Sequence, residues 1–201
     1  IRVPHLFQAG LGLPDVSYYT EREDLWGDYK SYINDLAKLY SLEGVDGEKV
    51  FEFEKAISAK HLTRTEKRDP NRVYNKKDYK ADVAPLLRGY FDAVKGLEAD
   101  KLTYCIVENP ALLEFLGEFL EGTDAATLRA HALFHTANKF ATIGNDASIN
   151  LHFAFNGKKL NGQKVIDPLW KRSLTRSARP ATRWSTTSSP PSATRSRSLS
   201  G

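Results

Sequence analysis

The chain has 201 residues, with 29 Lys and Arg against 25 Asp and Glu, one Cys, no Met and three Trp. That length suits one domain of ordinary size, with or without a tail, and 41% apolar with 11% aromatic residues supplies a core and excludes wholesale disorder. A single Cys excludes an intramolecular disulfide framework and a Cys-based zinc cluster; the richest apolar stretch, Leu112 to Leu120, is broken by Glu114 and Glu118 far short of a membrane span.

The surplus of positive charge is local. Residues 176–201 hold five Arg and no acid, which leaves 24 basic and 25 acidic residues in 1–175. The body therefore offers no basic surface for nucleic acid. The tail also holds eight Ser, four Thr, three Pro and three Ala, so it is expected to be disordered. An RNA-binding reading of this Arg/Ser tail lacks the aromatic platform such binding uses. No signal-like start is present; because the chain opens on Ile1 and contains no Met, it is expected to be a fragment.

The body reads as mostly α, helices joined by short turns. Leu25, Tyr29, Tyr32, Ile33, Leu36, Leu39 and Tyr40 recur at three- and four-residue steps and fall on one helical face, which Gly44 and Gly47 should end. A second helix is expected from Glu48 to about His61, with Val50, Phe53 and Ile57 inward. Residues 63–82, with Asp69-Pro70, read as a charged loop, followed by a short helix over 83–94 and an extended link at Cys105-Ile106-Val107. Asn109-Pro110 should cap a helix that ends at Gly122 and, being apolar on more than half its circumference, should be deeply buried. The longest helix follows, from Thr123-Asp124 to about Ala141. Asn145-Asp146 caps another, with Ile149, Phe153 and Phe155, closed by Asn156-Gly157; Pro168 opens a last one through Arg172. No sustained strand alternation is visible.

Candidate chemistry is sparse. His131 and His135 stand four apart on one helical face, the spacing of zinc peptidases. The acid that must follow the first His as general base is absent, since Ala132 stands there, and no third ligand is evident. Interface or surface histidines are the plainer reading. Gly10-Leu11-Gly12-Leu13-Pro14 lacks the Lys-Ser/Thr of a phosphate loop and reads as a tight backbone passage. Cys105 reads as a buried structural thiol, and the mixed charges of Arg64, Glu66, Lys67, Arg68, Asp69 and Arg72 as a solvated or ion-paired face. No complete active site emerges; catalytic, cofactor-binding and metal residues are expected to be none.

Several stretches in order carry a resemblance. Gly10-Leu11-Gly12-Leu13-Pro14-Asp15 followed by Tyr18-Tyr19, then Phe51-Glu52-Phe53-Glu54-Lys55-Ala56-Ile57, then Arg68-Asp69-Pro70 with Tyr74-Asn75, form one series. Phe153-Ala154-Phe155 with Gly157, Leu160 with Gly162, and Trp170-Lys171-Arg172 complete it. Together they resemble the zinc metallopeptidases of the neprilysin and endothelin-converting-enzyme family over nearly all of 1–175. Asn156 departs from the Tyr usual there.

The resemblance implies a largely helical, non-catalytic N-terminal region that, with a C-terminal catalytic lobe, encloses a chamber admitting peptides. The family's His-Glu-x-x-His motif and further Glu ligand would lie beyond residue 201, so zinc belongs to the intact parent and this chain alone should be inactive. In that parent, zinc polarises the scissile carbonyl and activates water, with Glu as base. Peptide substrates and the catalytic lobe are the implied partners. The alternative is a stand-alone helical binding or scaffold module. The expected division is 1–175, the family region, and 176–201, a tail read from a shifted frame. One Cys and no Asn-x-Ser/Thr sequon lean toward a microbial-type relative, cytoplasmic or exported.

Overall fold

The computed structural model describes residues 3–92 and 101–172. The expected tail at 176–201 lies outside them, as does the end of the helix expected over 83–94. Two compact units divide the chain, residues 1–162 and 163–201.

The first unit is mostly helical. Its elements in order are β1 (His5–Leu6), α1 (Ser17–Thr20), α2 (Glu23–Leu39), α3 (Gly47–Ser58), α4 (Pro70–Val73), β2 (Asn75–Asp78) and α5 (Pro85–Asp92). After these come β3 (Tyr104–Val107), α6 (Pro110–Gly122), α7 (Ala125–Ala141) and α8 (Asp146–His152). A π-helical stretch, Phe153–Leu160, continues α8.

Helix α2 buries Leu25, Tyr29, Tyr32, Ile33 and Leu36, the stripe its periodicity predicts, while Leu39 is exposed. Gly47 does not end α2; it opens α3, and a side chain there would strike the Lys30 carbonyl, so the two helices meet backbone to backbone. The Asp46 carboxylate caps α3 by accepting from the Glu48 amide at 3.0 Å. Val50, Phe51 and Phe53 bury from α3, and so does Glu54. Helices α2, α3, α7 and the π-helical stretch enclose the main core, where Phe51, Phe134 and Phe155 surround Tyr29 at ring-centroid distances of 6.3, 6.1 and 5.5 Å.

Three further expectations are corrected. A three-stranded sheet of order β1-β3-β2 exists, with β1 parallel and β2 antiparallel to β3. Its strands are two to four residues long, too short to display alternation, and β2 lies inside the segment 63–82 expected to be loop. Helix α6 has Asn109 as its cap as expected, but only Leu112 and Gly117 are fully buried. One side packs on Phe53 and Ile57, and Phe115, Leu116, Phe119 and Leu120 stay half-buried. Gly157 does not close the helix after Asn145. The chain passes through it in π-helical form, with the Phe153 ring where a Cβ on Gly157 would stand, and Gly162 at φ +66° follows the last turn instead.

In the second unit, residues 169–172 are helical, as the sequence predicts after Pro168. No described helix is long and apolar enough to cross a membrane.

Candidate functional site

Where α3, α7 and the segment before α1 meet, the core contains a carboxylate. Glu54 has 0% relative exposure, and it sits on the inward stripe of α3 between Val50 and Ile57. A carboxylate taken out of water is tolerated only when its oxygens are engaged. Its Oε2 accepts from the Tyr19 hydroxyl at 2.6 Å and the Tyr29 hydroxyl at 2.7 Å. Its Oε1 accepts from His135 Nε2 at 2.7 Å. His131 Nε2 lies 3.8 Å from that same oxygen and donates instead to the Gly10 carbonyl at 2.9 Å.

Each member is positioned by local sequence. His131 and His135, one helical turn apart on α7, both face Glu54. Their rings lie 4.2 Å apart, and Phe53 at 4.8 Å from His131 and Phe134 at 5.3 Å from His135 wall them in. Tyr19 arrives on the single turn of α1, where its hydroxyl also accepts from the Leu13 amide at 3.1 Å. Gly10 has φ +101°, open to glycine, and a Cβ on Gly12 would overlap the Tyr29 hydroxyl. The Gly10–Pro14 segment is thus the tight backbone passage expected of it, wrapped over a buried acid.

The electrostatics are those of a dry cluster. Burial, then the Glu54 charge, pushes the Tyr19 and Tyr29 phenols far above their ordinary value, so both remain donors. Burial, with His135 adding to it, lowers His131 and favours its neutral form. Among the described residues, the nitrogen neighbours of Glu54 are the two histidines, and no Lys or Arg pairs with it.

Of the plainer reading, interface or surface histidines, the structure places the pair at the interface between α3 and α7. The two side chains are about one-fifth exposed and turned toward a third ligand-type side chain. Sequence reasoning missed Glu54. The available signal was an acid in the middle of the apolar stripe of α3.

The other candidates fall as expected. Cys105 is buried and its thiol is pushed up by burial, the state of an unreactive structural thiol. In the charged loop, Arg72 pairs with Glu66 at 2.7 Å, Arg64 with Asp15 at 3.2 Å and Lys67 with Glu108 at 3.5 Å.

The N-terminal model of peptidase family M13 matches residues 2–181. The chain belongs to this family. Among solved structures it is similar to the Mycobacterium tuberculosis zinc metalloprotease Zmp1 in complex with inhibitor, at 20% identity and TM-score 0.73, over 85% of this chain and 28% of that one. The open state of the same protein gives 20% identity and TM-score 0.70 over the same shares. Its partial open state gives 21% and 0.67, over 94% of this chain and 31% of that one. The chain thus spans under a third of each of these chains. No match to a curated protein sequence is found. The expected resemblance and the mostly helical fold agree with these findings.

Proposed function

We propose that this M13 chain is the non-catalytic N-terminal portion of a neprilysin-like zinc metalloendopeptidase and forms part of the wall of its substrate chamber. The observation that carries the reading is the family match over residues 2–181, in a chain that corresponds to under a third of its structural relatives. In the parent, zinc would supply Lewis-acid activation of water and carbonyl for peptide hydrolysis.

The residues present do not fit that chemistry. Ala132 stands where a proton-accepting carboxylate must follow the first His. Glu54 cannot substitute for it, because it is fully buried and both its oxygens already accept hydrogen bonds. No hydrolytic step is therefore assigned to this chain. Its described residues build a helical body, and peptide turnover is assigned to the catalytic lobe of the parent.

The test is a coding sequence and an assay. The open reading frame continued past residue 201, in any frame, should encode a His-Glu-x-x-His motif, and the 201-residue chain should give no chelator-sensitive cleavage of a fluorogenic peptide. Turnover by the pure chain, or a continuation without that motif, overturns the reading.

A further inference from the structure

We propose that Glu54, His131 and His135 form a binding site for a divalent first-row metal ion of the zinc type, one that ties α3 to α7. The three side chains each bring one ligand atom, and these atoms lie within 4.8 Å of one another. Two imidazoles and a carboxylate are a donor set such ions favour. The absence of a third ligand, which argued against a metal in the sequence, no longer holds.

Geometry supports the assignment. Ligand atoms held at about 2.0–2.1 Å by a tetrahedral ion stand roughly 3.4 Å apart. The Glu54 Oε1 separations from His135 and His131, 2.7 and 3.8 Å, bracket that value, and all three ligand atoms lie within 4.8 Å, so shifts of roughly 1 Å by the two rings bring them to tetrahedral spacing. The outer partners are already arranged. Tyr19 and Tyr29 occupy Oε2 and fix the carboxylate plane, which leaves Oε1 turned to the histidines. Phe53 and Phe134 restrict the two imidazoles to rotamers that face it.

Charge and access support it too. A fully buried carboxylate with neither Lys nor Arg among its described ion pairs gains from a divalent cation in place of the shared His135 proton. Binding takes the Nε2 lone pair of each ring, so the metal-bound imidazoles carry their proton on Nδ1, and the Gly10 carbonyl gives up its His131 donor. The partial exposure of both histidines provides the route in. Three protein ligands leave a position for water. Among the described residues no second carboxylate joins the cluster to serve as its base, so the site is structural in character.

The 201-residue chain, stripped with chelator, is titrated with Zn²⁺ alone and with Co²⁺ alone, by calorimetry and by Co²⁺ absorption. The expected result is one ion per chain with Kd below about 1 μM, a tetrahedral-type Co²⁺ spectrum, and a rise in Tm on adding Zn²⁺. His131→Gln and His135→Gln should each weaken binding at least about tenfold, whereas His5→Gln leaves it unchanged. Glu54→Gln also disturbs the tyrosine pair, so the histidine variants, checked for a wild-type circular dichroism spectrum, carry the test. Absence of stoichiometric binding, or binding and a Tm rise that survive the double His131→Gln/His135→Gln change, overturns the proposal. These outcomes are independent of whether the chain belongs to a larger peptidase, which the coding sequence decides.

Discussion

The Tyr29 hydroxyl donates to Glu54 Oε2 at 2.7 Å, and this bond joins α2 to α3 through the middle of the main core. A hydrogen bond to a buried charge contributes about 1.5–3 kcal/mol, whereas a neutral one contributes about 0.5–1.5 kcal/mol. Tyr29→Phe and Tyr19→Phe should each cost an amount in the upper range, measured as urea unfolding free energy. Tyr32→Phe, whose hydroxyl donates to the neutral Asn138 Oδ1 at 2.6 Å, should cost an amount in the lower one. Because Tyr19 and Tyr29 serve one oxygen, their double variant should depart from additivity. Equal, additive effects at all three positions would refute a special role for the Glu54 charge.

Gly12 and Tyr29 are coupled through space the glycine leaves open. A Cβ at Gly12 would overlap the Tyr29 hydroxyl and come within 3.2 Å of Glu54 Oε1. Gly12→Ala should destabilise by about 1–3 kcal/mol, the usual cost of inserting a group into a packed interior. In a Tyr29→Phe background the same change meets no hydroxyl, so its cost should fall by at least about half. A cost that is the same in both backgrounds would place the strain in the backbone instead.

Much of the helical framework was legible because its signals are local. The stripe from Leu25 to Leu36, the Asn109 cap before Pro110, and Asp124 accepting from the Thr127 amide at 2.8 Å each lie within a few residues. The sheet was not legible, because β3 pairs with strands about 100 and 30 residues distant and each strand is too short to carry a period. The site was half legible. His131 and His135 advertise themselves by spacing, but Glu54 lies 81 residues from His135, and its place on the apolar stripe of α3 marks it as buried without saying what it meets. Only the packing of α3 against α7 brings the three together.

Phe7 is 69% exposed beside the groove that Leu6, Leu112, Leu113 and Leu116 form between β1 and α6. With the half-buried face of α6, it gives this part of the molecule an apolar surface, and such surfaces promote association. Phe7→Ser should reduce light scattering and dye binding at high protein concentration. It should change unfolding free energy by less than about 0.5 kcal/mol, the scale of surface substitutions. A large loss of stability would mean that Phe7 holds the sheet in place.

The last prediction concerns acid. His61 is half-buried against a cleft of about 300 Å³ bounded by residues 8–16, with Lys67 and Glu108 facing it. Its Nε2 is buried without a hydrogen-bond partner. Burial first, and then the Lys67 charge, lowers its pKa; Glu108 and a hydrogen bond with the Ala9 backbone oppose them. A histidine whose folded value lies below its unfolded value, about 6.5, contributes stability fully above that unfolded value and loses it as pH falls through the folded one. The unfolded chain binds the proton first, so acid favours unfolding. Stability measured from pH 7.5 down to 5 should therefore decline, and His61→Gln should remove part of that slope while costing little at pH 7.5. His131, held toward its neutral form as well, adds a slope of the same sign, so the informative quantity is the difference between wild type and His61→Gln. Lys67→Gln should also make the decline shallower, because it removes the charge that opposes protonation. A slope identical in wild type and His61→Gln would mean that His61 titrates alike in the folded and unfolded chains, contrary to its burial.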